Sequence, residues 1–114
     1  MKYVVAIIQS HKLEDVRDAL FAMGIDALTV QEVRRYGTHE EHKEIYRADE
    51  YDVGFMPRIK IEFAVSDRHA DEAVAAIRNA AVTGEIGDGR IYMLELARTV
   101  QIRSGKVDAD VAAL

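Results

Sequence analysis

Four extended stretches and two helical ones emerge from the order of apolar and polar residues. Tyr3 to Ile8 is rich in β-branched side chains and reads as a buried strand. Over residues 12–23, Leu13, Val16, Leu20 and Met23 recur at helical spacing, with Glu14, Asp15, Arg17 and Asp18 on the remaining surface. Gly24 is placed to stop that helix. Residues 27–36 form a second extended run. Residues 58–65 alternate strictly, with Ile59, Ile61, Phe63 and Val65 on one face and Arg58, Lys60 and Glu62 on the other. Ser66 and Asp67 are N-cap candidates for a second helix whose inward stripe is Val74, Ile77 and Ala81. Ile91 to Leu96 reads as the fourth strand. The order β-α-β-β-α-β predicts an α+β fold of the ferredoxin-like arrangement, with the second and third strands paired.

The connection between those two strands is too long for a hairpin. Residues 37–56 amount to about twenty, beyond the roughly 12–15 that compact domains tolerate without a functional reason. Glu40, Glu41, Glu44, Asp49, Glu50 and Asp52 outnumber Lys43 and Arg47 there, so folding the segment into the core would bury charge. The segment is expected to project as a partner-binding arm, with Tyr46 and Tyr51 as aromatic residues in otherwise solvated sequence.

Composition narrows the class. A chain of 114 residues fits a single domain spanning 1–114, with one modest core that association would help. A net charge of −5 argues against nonspecific nucleic-acid binding. No cysteine is present, so disulfides and thiol chemistry are excluded. The apolar stretch near Met1 is too short for a membrane span and lacks a small-residue cleavage site, so a cytoplasmic protein is expected.

Thr83 to Arg90 carries the densest chemistry. Gly84, Gly87 and Gly89 fall within six residues and are followed at once by Arg90. Glycines permit backbone angles closed to other residues, successive N–H groups can cradle an anion, and a guanidinium suits phosphate. Read alone, the stretch is equally a plain turn between a helix and a strand. Its company decides. Thr83-Gly84-Glu85-Ile86-Gly87-Asp88-Gly89-Arg90 resembles the Thr-Gly-x-Ile-Gly-Asp-Gly-Lys motif of the P-II nitrogen regulatory proteins. Lys12 to Leu20, Leu28 to Val33, Glu44 to Arg47 with Glu50-Tyr51, Pro57 to Glu62, and Ile102-Arg103-Ser104-Gly105 are similar to further family segments in the same order.

The resemblance implies a homotrimer that binds ATP or ADP in clefts between subunits, with magnesium as a companion ion, and controls a target enzyme or a membrane transporter through the arm. It implies phosphate contacts from Gly87, Asp88, Gly89 and Arg90, and from Arg103 across the subunit boundary. Thr29 matches a position near the adenine, Glu62 one near the ribose, and Ile7 and Ala64 positions lining the pocket. Arg58 and His39 match effector-binding positions, Tyr51 a uridylylation site, and Arg47 an arginine that in some relatives enters a channel pore. The 98–114 stretch is the C-terminal segment.

Several positions depart from the family pattern. Thr38 and Gln101 stand where it has arginines, Arg35 and Glu41 where it has glycines, and His39 where a glutamine binds magnesium and 2-oxoglutarate. Imidazole is a poor ligand for a hard cation, and Glu41 would repel a dicarboxylate. Standard 2-oxoglutarate sensing is therefore not expected. An alternative is a divergent regulator of a metal-efflux or bicarbonate transporter that senses another ligand. His39-x-x-His42 has donors suited to zinc, nickel or copper, but reads as solvated loop rather than a metal centre. No nucleophile–base pair stands out, so no enzyme is expected.

Overall fold

A computed structural model of the chain describes residues 1–36 and 55–108. Within them, β1 (Lys2–Ile8), α1 (Leu13–Ala22), β2 (Thr29–Arg35), β3 (Met56–Val65), α2 (Asp67–Ala81) and β4 (Gly89–Glu95) follow the expected order. The single sheet runs β2-β3-β1-β4, every neighbour antiparallel. The expected pairing of the second and third strands is present, from Thr29 opposite Glu62 to Arg35 opposite Met56.

Period-two alternation sorts the sheet into two unlike faces. Val4, Ala6 and Ile8 of β1 and Ile59, Ile61, Phe63 and Val65 of β3 are buried beneath both helices. Helix α1 contributes Val16 and Leu20, and α2 contributes Ala70, Ala73, Ile77 and Ala81. The stripe of α2 is thus centred on alanines, with Val74 at its margin rather than its middle. Small side chains let the helix approach the sheet closely, and the wider Val74 is left on the flank.

Local signals set the helix ends. A 3-10 turn at Ser10–Lys12 precedes α1, so the regular helix begins one residue later than its charge pattern implies. Gly24, at φ +86°, ends it. The Ile25 N–H donates to the Leu20 carbonyl and the Gly24 N–H to the Phe21 carbonyl, which satisfies two orphan carbonyls. Ser66 occupies the N-cap position of α2 in extended conformation, although its hydroxyl lies 3.0 Å from His69 Nδ1 rather than on a backbone N–H.

Among the described residues, no helix covers the opposite face of the sheet. Val5 and Ile7 are half-buried there, and Tyr92 and Leu94 are 47% and 51% exposed. After β4, residues 99–108 fold back in a small loop closed by a Val100–Val107 bridge, with Ile102 fully exposed at its tip. Among the described residues, no helix is long and apolar enough to cross a membrane.

Candidate functional site

The glycine-rich turn between α2 and β4 is built by its own side chains. Gly84, Gly87 and Gly89 all have positive φ, at 91°, 103° and 112°. Gly89 is also sterically obligatory, because a Cβ there would lie 1.8 Å from the Ile7 carbonyl oxygen. The Asp88 carboxylate faces inward. Its Oδ2 accepts from the backbone N–H groups of Thr83 and Gly84 at 2.8 and 2.9 Å. Its Oδ1 accepts from the Thr83 hydroxyl and, at 3.3 Å, from Gln9 Nε2. The Thr83 hydroxyl bond, helped by the Thr83 and Gly84 N–H bonds and the nearby Lys12 charge, holds the Asp88 carboxyl below the usual carboxylate range, even though desolvation opposes it more strongly than any one of these lesser contributions favours it. Asp88 therefore acts on the turn itself. It spends its hydrogen-bonding capacity on shaping the loop.

Arg58 ties this turn to the sheet. It is 8% exposed, the buried charged side chain among the described residues. Its Nη2 donates to the Gly87 carbonyl at 3.4 Å and its Nη1 to the Pro57 carbonyl at 2.9 Å. The residue whose resemblance points to an effector carboxylate here grips backbone oxygens on both sides.

A cleft of about 580 Å³ opens beside the turn on the helix-free face. Ile7, Gly87, Asp88, Gly89 and Arg90 all line it, so five of the expected nucleotide positions converge within one chain. The register explains this, since Ile7 of β1 lies directly opposite Arg90 of β4. The far wall is the end of β2, with Val33, Arg34 and Arg35, while Glu85 and Tyr92 complete the lining.

The other expected positions lie elsewhere. Thr29 and Glu62 are cross-strand partners, and Ala64 faces Tyr3 across the β1–β3 ladder. All three lie on the helix-free face, outside the lining of this cleft. Glu62 is 3.2 Å from Lys60 Nζ. Burial and the neighbouring Glu62 push the Tyr3 phenol up. Arg103 is in the exposed 99–108 loop, again outside the cleft. His39, Arg47 and Tyr51 lie outside the described residues, as do Thr38, Glu41, His42 and most of the 37–56 segment.

Gln9, Arg34 and Tyr92 are site residues that the sequence reading passed over. Tyr92 was recoverable, because it shares the Arg90 face of β4 by alternation. Arg34 carried a weaker signal, as one of two consecutive arginines closing a strand. Gln9 carried none; its contact spans 79 positions of sequence.

Comparison with known proteins places the sequence among relatives. A family model described as nitrogen regulatory protein P-II matches residues 1–106. The nitrogen regulatory protein GlnK of Escherichia coli strain K12 is 49% identical over 114 residues, covering all of both chains. The nitrogen regulatory protein P-II of Rhizobium etli is 50% identical over 110 residues, covering 96% of this chain and 98% of that one. Nitrogen regulatory protein P-II 1 of Escherichia coli strain K12 is 46% identical over 108 residues, covering 95% of this chain and 96% of its own.

Proposed function

The chain belongs to the nitrogen regulatory protein P-II family, and on that premise we propose that it is a non-enzymatic, nucleotide-sensing regulator of nitrogen metabolism. In this reading ATP and ADP bind in clefts completed between the subunits of a homotrimer. The nucleotide state then governs, through the 37–56 segment, a cytoplasmic enzyme or a membrane transporter. The observation that carries the proposal is the convergence of Ile7, Gly87, Gly89 and Arg90 on one cleft. Gly89 lets the chain run against β1, the positive-φ glycines open the turn, and Arg90 supplies a forked cation at its edge. A volume of about 580 Å³ is ample for a nucleotide.

The helix-free sheet face and the remote position of Arg103 support the trimer. Thr29, Glu62 and Ala64 belong to the β2–β3 half of that face and Arg103 to a loop beyond the β4 edge, so a ring can bring one chain's set to the next chain's turn. Magnesium would arrive with the phosphates, and among the described lining residues Glu85 is the carboxylate that the turn does not consume. Isothermal titration calorimetry with ATP and with ADP tests the proposal. Saturable heat for both is expected; no heat for either at millimolar ligand would end it.

One observation favours a second reading, in which the effector differs from 2-oxoglutarate and the target is a metal-efflux or bicarbonate transporter. Arg58 is turned onto the Gly87 and Pro57 carbonyls rather than presented to solvent. Tight 2-oxoglutarate binding in the presence of magnesium and ATP would remove this reading's support.

A further inference from the structure

We infer that Arg58 and Gln9 are positioning residues for the glycine-rich turn: together they hold the Gly87 carbonyl, and so fix the Gly87–Asp88 peptide in the orientation in which the turn presents its backbone to a ligand. The inference rests on the nucleotide reading above, and it gives Arg58 a task other than gripping an effector's carboxylate.

The turn needs a hold from outside. Asp88 is flanked by Gly87 and Gly89, at φ 103° and 112°, and glycine leaves a peptide free to rotate where other residues would resist. The Asp88 carboxylate is bound to Thr83 and Gly84. Those bonds tie the side chain to the start of the turn and leave the Gly87 carbonyl to other donors. In a planar trans peptide the carbonyl and the following N–H point in opposite directions, so whatever holds the Gly87 oxygen also aims the Asp88 N–H. That N–H is one of the backbone donors with which such a turn can cradle an anion.

Register brings two donors to that oxygen. Ile8, the last residue of β1, is opposite both Gly89 of β4 and Ile59 of β3. One step further along, Gln9 stands between Asp88 and Arg58. Its Nε2 lies 3.4 Å from the Gly87 carbonyl and 3.3 Å from Asp88 Oδ1. From β3, Arg58 Nη2 reaches the same Gly87 oxygen at 3.4 Å. Neither contact to Gly87 is short, so the hold depends on both acting at once. Arg58 is 8% exposed, and a charged donor shielded from water makes the stronger of the two bonds.

The arrangement suits arginine in particular. The two Arg58 bonds leave from different nitrogens of one rigid plane. Nη1 seats that plane on its own strand, at the Pro57 carbonyl at 2.9 Å, and the plane then directs Nη2 at Gly87. A lysine ends in a single nitrogen and cannot place donors at both carbonyls through a fixed plane. A simple grip on a carboxylate is served by either cation; this strut is served by the guanidinium.

The test reads the Gly87 carbonyl-carbon NMR signal of the full-length protein, together with calorimetric titration by ATP and by ADP, in wild type, Arg58→Lys, Arg58→Met and Gln9→Met. Each variant should move the Gly87 signal in the unliganded protein, because the oxygen loses a donor. Both nucleotides should weaken together, roughly tenfold in Arg58→Met and less in Gln9→Met, which removes only a neutral donor. Arg58→Lys should fall with Arg58→Met, whereas a requirement for charge alone predicts an affinity near that of wild type. Wild-type affinity in Arg58→Lys, or an unmoved Gly87 signal in the variants, overturns the assignment. Gln9 is half-buried just after β1, so Gln9→Met keeps the test decisive should loss of buried Arg58 unfold the chain. If wild type binds neither nucleotide, the nucleotide reading fails, and the Gly87 signal alone decides whether Arg58 and Gln9 hold the turn.

Discussion

A Cβ at Gly89 would meet the Ile7 carbonyl oxygen at 1.8 Å, with φ at +112°, so an alanine there must displace the turn or β1. Gly84 has φ +91° but nothing within 4 Å of the same added atom. The two substitutions separate backbone strain from steric clash. Gly84→Ala should cost about 1 kcal/mol from the left-handed angle alone. Gly89→Ala should cost well over about 2 kcal/mol in urea denaturation and abolish nucleotide binding. Equal costs for the two would show that close approach to β1 is not what demands glycine. Asp88 gives a pH prediction. Its folded pKa lies below the unfolded value, so its contribution is complete above about pH 4 and is lost as pH falls through the folded value. The stability gap between wild type and Asp88→Asn should therefore be present at neutral pH and close in strong acid; a gap that stays constant throughout that range contradicts the assignment. Tyr3 runs the opposite way, its raised pKa giving stability that is lost as alkali ionises the phenol. These assignments were only half legible in the sequence. The glycines and Arg90 announced themselves by spacing, whereas the inward turn of Asp88 depends on hydrogen bonds to Thr83 and Gly84 that no residue pattern specifies.

At the scale of elements, Tyr36 and Phe55 flank the 37–54 segment that lies outside the described residues. Their rings are 4.9 Å apart and tilted by 51°, one step beyond the Arg35–Met56 pair that closes the β2–β3 ladder. Both rings are substantially exposed, so their mutual contact is what they gain. A double-mutant cycle with Tyr36→Ala and Phe55→Ala should give a coupling of about 0.5–1 kcal/mol in thermal denaturation, the usual worth of an aromatic pair. Additive single effects would show that the stem ends at Arg35 and Met56. The elements themselves were largely legible. The strict alternation of Ile59, Ile61, Phe63 and Val65 located β3, and the Leu13, Val16 and Leu20 spacing located α1. The stripe of α2 was read in part: Ile77 and Ala81 are buried as expected, whereas Ala70 and Ala73, weak hydrophobic signals, are buried as well and Val74 is only partly so. The outer strands were blurred at their ends because mostly exposed residues such as Thr29, Gln31 and Glu32 carry no inward–outward contrast.

Among the described residues, one sheet face is buried under two helices and the other is left uncovered, where Tyr92 and Leu94 present apolar surface, while Ile102 is fully exposed in the loop beyond β4. Exposed apolar area of this kind marks an interface. In the function proposed above, that surface would pack against the neighbouring subunits of a trimer, and the Arg103 of one chain would complete the cleft formed by the turn of another. Mixing subunits checks that division. Trimers of Arg90→Ala alone and of Arg103→Ala alone should each bind ATP weakly, and mixed trimers should regain the sites that combine an intact arginine from each. The order of motifs made family membership readable, whereas the proposed sharing of a site between chains has no counterpart in the periodicity of one of them. The most direct measurement is sedimentation velocity with labelled ATP, reading mass and nucleotide occupancy together. The account predicts a trimer that carries nucleotide at one site per subunit. A protein that sediments as a monomer without bound nucleotide at physiological concentration would contradict it.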